Sequence, residues 1–270
     1  MKLLVSEYEL KQMGKRKRTY NYVSIDEYKI LRPYLVQKSL ARASKNKADL
    51  DPTMTAYTPG ETLHLIRHPK VQEWSASMRD FKIPDKYEIV IFVPCAATKP
   101  WGFSCKGDFY PWYNKIRLQV QESKIRPIYF VTISEPLGVV PEDFWETFPQ
   151  YDNPGLFKDT ALQSGMMTST WSKSPLGSKR EMPFDDQACE KAIKILGKQI
   201  SCFIKNNFNH RFISFVEHAN PKSLSSHSRM LSEAEKIIGF TIQRNPKKPN
   251  IGRAKVNLSQ YILQASFSVL

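Results

Sequence analysis

Three short stretches of this 270-residue chain place chemically capable side chains where an apolar run ends. The first is Pro94-Cys95-Ala96-Ala97-Thr98-Lys99-Pro100-Trp101-Gly102-Phe103-Ser104. Small residues followed by a lysine and two aromatics suit a loop that closely approaches a flat ring. Trp101 or Phe103 can stack on a base, Cys95 can line the same pocket, and Lys99 can touch a phosphate or the ligand. The second stretch is Ser134-Glu135-Pro136-Leu137-Gly138-Val139-Val140-Pro141. A carboxylate at Glu135, where a buried strand emerges, can accept from a base amino group or stabilise a developing cation. The third runs from Glu217 to His227 and crowds two histidines, Asn220 and several hydroxyls together. There His218 can stabilise a departing group, Asn220 can face a base, and Ser223 or Ser225 can hold a phosphate.

The elements that carry these stretches are legible from periodicity. Glu88–Val93, Ile128–Ile133 and Phe212–Val216 are continuous apolar runs of strand length, and Phe240–Gln243 reads as a fourth strand. Helices separate them: one over 111–123, and one capped by Asp185 with Cys189, Ala192, Ile193, Leu196, Ile200 and Phe203 at i, i+3, i+4 spacing. A further helix covers 228–238 and ends at Gly239. Continuous apolar strands separated by helices predict an α/β domain with a central, mostly parallel four-stranded sheet flanked by helices. Ligands in such sheets bind beyond the carboxyl ends of the strands, so turns starting at Pro94, Ser134 and Glu217 should converge. Residues 81–270 form this catalytic domain. Residues 1–80 read as a basic, mostly helical N-terminal extension. In it Tyr28, Leu31, Leu35 and Leu40 mark a helix interrupted by Pro33, and Pro69 opens another bearing Val71, Trp74 and Met78. Residues 158–183 lack periodicity and read as a lid or binding loop.

The charge is uneven. Forty Lys and Arg face 26 Asp and Glu, a formal net charge of +14. Residues 1–48 hold twelve of the cations, including Lys15, Arg16, Lys17 and Arg18, against four acids. A second cluster joins Arg244, Lys247, Lys248, Arg253 and Lys255 with no acid between. Such clusters attract polyanions and predict salt-sensitive nucleic-acid binding. Four cysteines are too few for a disulfide-stapled fold. Cys95, Cys105, Cys189 and Cys202 have no C-x-x-C pair, so neither a cluster nor a zinc site is expected, and no cofactor. The longest apolar runs are too short to span a membrane. The start MKLLVSEYEL breaks at Ser6 and Glu7, which argues against a signal peptide and for a cytoplasmic protein with reduced thiols.

The segment PCAATKPWGFS, followed by ISEPLGVVP and YDNPG (Tyr151–Gly155), resembles the central domain of archaeosine synthase, a relative of the tRNA-guanine transglycosylases. The family signature reads Pro-Cys-x3-Lys-Pro-Tyr-x2-Ser-x2-His. Pro94, Cys95, Lys99, Pro100 and Ser104 match it, Trp101 stands for Tyr, and Gly107 replaces the His. The layout is also similar to the uracil-DNA glycosylase superfamily. Those enzymes have a water-activating loop after the first strand, a base-recognition position after a middle strand and a His-Pro-Ser-Pro-Leu-Ser loop after a late one. His218 to Ser225 echoes the last with one residue inserted, and Glu135 falls near the base-recognising position.

The resemblance implies a DNA glycosylase on double-stranded DNA, without a membrane or an obligate protein partner. It would flip out and excise a modified base, leaving an abasic site, as antiphage glycosylases do to hypermodified viral DNA. Glu135 and His218 would act on the base, with Ser104, Ser223, Ser225 and the basic residues on the backbone. The water-activating Asp of that superfamily has no counterpart in PCAATKPW. Asp108, Glu135 or Asp152 would then activate water, or Lys99 would serve as a Schiff-base nucleophile. The alternative is an archaeosine-synthase-like enzyme modifying a 7-deazaguanine in tRNA.

Overall fold

The computed structural model describes residues 25–95, 99, 128–156, 185–216 and 226–244, apart from the Glu27 side chain. The expected helix over 111–123 and the aperiodic stretch 158–183 lie outside these residues. By internal contacts the chain divides into two compact units, 1–68 with 150–192 and 69–149 with 193–270.

The second unit holds the sheet. Its strands are β1 (Ile89–Pro94), β2 (Ile128–Ser134), β3 (Gly138–Pro141), β4 (Arg211–Ser214) and β5 (Gln243–Arg244). They lie in the order β3-β2-β1-β4-β5. β1 pairs in parallel with β2 and β4, and β4 in parallel with β5, while β3 returns antiparallel on β2. Every residue of β2, and Ile89–Val93 of β1, is buried. Side chains of a strand alternate between faces, so this burial requires cover on both sides of the sheet. The mostly parallel α/β architecture expected from the sequence is present, with a fifth strand beside the four expected.

That extra strand is the second chemical stretch itself. Gly138 makes the hairpin possible: its φ is +74°, and a Cβ there would meet the Gln199 side chain at 2.9 Å. Four residues opening on a glycine carry too weak a strand signal to be read beforehand. β5 also begins later than the expected Phe240–Gln243, after Gly239 turns the chain at φ +84°.

Among the described residues three helices flank the sheet: α3 (Pro69–Asp80), α4 (Asp186–Asn206) and α5 (Ser226–Ile238). α3 buries Val71, Trp74 and Met78, the residues its spacing selected. The Trp74 indole N–H donates to the Val139 carbonyl at 3.0 Å, fastening α3 to β3. Asp185 caps α4 by accepting from the N–H of Gln187 and Ala188. α4 meets α5 at Gly197, where a Cβ would lie 2.5 Å from Glu233 Cβ and 3.0 Å from the Met230 carbonyl.

The first unit contains α1 (Ile25–Lys45) and α2 (Pro59–Leu65). α1 runs through Pro33 rather than stopping there. An interior proline costs about 3 kcal/mol. Here buried Leu31, Tyr34 and Leu35 anchor the helix on both sides of the break, and Tyr28 and Arg32 bind Glu61 of α2. Thr58 caps α2 by accepting from Glu61 N–H.

Gly155 closes this unit against the start of α2. A Cβ there would sit 2.4 Å from Thr62 Oγ1 and 2.5 Å from the Thr58 carbonyl. Gly155→Ala is therefore expected to lose about 1–3 kcal/mol of stability, the usual cost of overpacking. A urea denaturation curve with an unshifted midpoint would contradict this close approach.

Candidate active site

β1 and β2 are adjacent and parallel, with Pro94 level with Ile133, so both chains leave the sheet at the same end. Cys95 follows β1 directly, and its N–H donates to the Ile133 carbonyl at 3.0 Å. Glu135 follows β2 directly, and the Glu135–Pro136 peptide is cis. The third contribution comes from the start of α5, which follows β4. Ser226, His227 and Ser228 are all buried, and Met230, Leu231 and Ala234 continue the same apolar face.

These three positions meet. His227 Nε2 lies 3.1 Å from Cys95 Sγ and 3.2 Å from Glu135 Oε2. Cys95 Sγ lies 4.0 Å from the same Glu135 oxygen. The other carboxylate oxygen of Glu135 accepts a hydrogen bond from the Ser226 hydroxyl. Glu135 is 1% exposed and His227 5%. The Ser134 hydroxyl is also buried, with no hydrogen-bond partner among the described residues.

The electrostatics follow from this enclosure. Burial alone would raise the Glu135 carboxyl. The His227 charge and the hydrogen bonds from His227 and Ser226 outweigh it, and the group stays below the ordinary carboxylate range. Burial alone would depress His227. The Glu135 carboxylate, with a smaller contribution from Cys95, holds it well above an ordinary histidine instead. The result is a carboxylate and an imidazolium held together at a strand end, with a thiol beside them. An anion and a cation fixed in a dry site can stabilise opposite charges that develop as a bond breaks.

Two residues singled out in the sequence, Cys95 and Glu135, are thus brought into contact. Lys99 is buried, 7% exposed. Asp152 lies in the first unit, where its carboxylate pairs with Arg42 at 2.5 Å and accepts from Ser39. There it serves as a structural anchor for α1. Trp101, Phe103, Ser104, Asp108, His218, Asn220, Ser223, Ser225, Lys15, Arg16, Lys17, Arg18, Lys247 and Lys248 lie outside the described residues.

His227 and Ser226, which the sequence reading did not single out, contact Glu135 from the end of the third stretch. The signal for His227 was present: it precedes Met230 by three and Leu231 by four, so it falls on the buried face of the helix.

The basic clusters also need correction. Arg244 is not a free surface cation but 7% exposed, and its guanidinium binds Glu235 at 2.5 Å, Ser228 Oγ at 3.0 Å and Ser232 Oγ at 3.1 Å. Arg32 and Arg42 are likewise paired, with Glu61 and Asp152.

Among the described residues no helix is long and apolar enough to cross a membrane. Over 104 residues the chain is 33% identical to archaeosine synthase subunit alpha of Thermococcus kodakarensis. The match covers 36% of this chain and 18% of that protein, so the chain spans less than a fifth of its relative. No family model matches the sequence, and no solved structure does.

Proposed function

We propose that this chain is an enzyme that removes a modified base from double-stranded DNA in the cytoplasm by cleaving the N-glycosidic bond. The carrying observation is the contact between Glu135, at the end of β2, and His227, on the helix that follows β4, in a site that also takes in the end of β1. In this reading the Glu135 carboxylate faces the positive charge that grows on the sugar, and the His227 imidazolium faces the negative charge leaving with the base. Water adds to C1′, the C1′–N bond breaks, and its electron pair departs with the base, which takes up a proton. Extruding the base costs a few kcal/mol, less for one already poorly stacked. The net positive charge supports backbone contact.

A second reading has its own support. The 33% identity to an archaeosine synthase subunit favours modification of a deazaguanine in tRNA over its removal. One experiment separates the two. The full chain is incubated with hypermodified phage DNA, plain DNA and tRNA. Abasic sites are counted by alkaline strand cleavage, and nucleosides are weighed by mass spectrometry. Abasic sites confined to the modified DNA are the expected result. Added mass on a tRNA nucleoside with no abasic sites would replace the first reading by the second. No change in any substrate would remove both.

A further inference from the structure

We infer that Cys95, Glu135 and His227 form a zinc site, with the Sγ, a carboxylate oxygen and an imidazole nitrogen as its three protein ligands. This rests on the reading that the cluster is the reacting centre; with zinc bound, His227 is a neutral imidazole, and the metal takes the charge-stabilising part that the imidazolium has without it and activates water.

Hydrogen bonding within the cluster is mismatched. One nitrogen, His227 Nε2, faces both Cys95 Sγ at 3.1 Å and Glu135 Oε2 at 3.2 Å. A ring N–H points along one line in the ring plane and cannot donate well to both. Nor is this a relay of thiol, imidazole and acid, since there the acid would hold the other ring nitrogen. Three electron-pair donors converging on one place are what a cation needs.

Distances come close. Zinc binds sulfur at ~2.3 Å and nitrogen or oxygen at ~2.0–2.2 Å, which puts tetrahedral donors about 3.3–3.6 Å apart. The three separations here, 3.1, 3.2 and 4.0 Å, lie on either side of that range, and small side-chain shifts bring the three atoms into it. Ligand chemistry agrees as well: thiolate, imidazole and carboxylate together suit zinc and not magnesium or calcium.

The second carboxylate oxygen is held by Ser226, the outer contact that orients a metal-bound carboxylate. All three ligands are buried, and they come from three separate places along the chain, so no cysteine spacing could reveal them. Three protein ligands leave one tetrahedral position, the arrangement in which zinc lowers the pKa of a bound water to about 7.

The test uses the full chain, purified without chelator or metal-affinity resin and analysed for zinc by mass spectrometry. One zinc per chain is expected. Stripping with a chelator and refilling with Co2+ should give d–d bands near a tetrahedral intensity and a sulfur-to-cobalt charge-transfer band. Cys95→Ser should abolish the charge-transfer band, and His227→Ala should leave less than a tenth of the bound metal. Ser226→Ala, which keeps all three ligands, should weaken affinity by ~10–100-fold.

Failure of the wild-type chain to bind zinc or Co2+ at micromolar concentration would overturn the site. So would a charge-transfer band that survives Cys95→Ser. Stoichiometric metal in a chain that alters no nucleic-acid base would uphold the site and remove the functional reading. Base excision undiminished after complete metal removal would overturn the metal and leave the enzyme standing.

Discussion

Glu135→Ala is expected to destabilise the protein by about 3–5 kcal/mol, and the paired change Glu135→Met with His227→Leu by much less. Breaking a buried ion pair leaves one charge without a partner in a medium that solvates it poorly. Replacing both members with apolar residues of similar volume removes that penalty, and in other buried pairs the exchange is neutral or even stabilising. Glu135 and His227 fit the premise, being 1% and 5% exposed and 3.2 Å apart. Denaturant titrations with a chelator present read the pair alone. A double variant at least as unstable as the sum of the two single variants would show that the pair is not energetically coupled. On the functional side, Glu135→Gln preserves shape and should lower base excision by ~10²–10⁴-fold, the range for removing a positioned charge or acid–base group. Undiminished excision by Glu135→Gln would take the carboxylate out of the reaction.

Glu135 was legible in the sequence because Ile128–Ile133 is an apolar, β-branched and aromatic run of strand length, the pattern of a strand buried on both faces. A carboxylate placed just beyond such a run has few reasons to be there apart from chemistry or pairing. For His227, spacing showed a place on the buried face of a helix but not the contact with Glu135. Its stretch offers two histidines, and His218 is the one that falls in the resemblance to the His-Pro-Ser-Pro-Leu-Ser loop. The structure brings His227 to Glu135 because a helix begins at Ser226 and turns its first residues inward. Periodicity places a side chain on a face, but which loop residue meets which strand end depends on where the following helix docks. That docking is fixed by contacts such as Gly197 against Glu233, which are distant in sequence and carry no local pattern. The same limit explains Pro33. Local propensity argues for a break, and tertiary anchoring by Glu61 overrides it.

Arg244 shows why counting cations along a sequence overstates the binding surface, and the distinction can be measured. Its guanidinium is held by Glu235, Ser228 and Ser232, while the other oxygen of Glu235 accepts the Ile242 N–H at 2.9 Å. This carboxylate therefore joins α5 to the turn that leads into β5, and Arg244 neutralises it. Arg244→Ala strands a carboxylate with an 11% exposed side chain and should cost about 3–5 kcal/mol. Arg244→Lys keeps the charge, loses the fork, and should cost less. Neither should alter the salt dependence of DNA binding in the folded protein, because a cation already satisfied internally releases no counterion from DNA. Lys247→Ala and Lys248→Ala test the opposite case. If each contacts a phosphate, each should reduce the slope of log K against log salt by ~0.9. Binding isotherms at several salt concentrations distinguish the two classes. A slope reduced by Arg244→Ala as much as by Lys247→Ala, in a variant that still folds, would mean that Arg244 leaves Glu235 to bind nucleic acid, and that this ion pair opens in the complex.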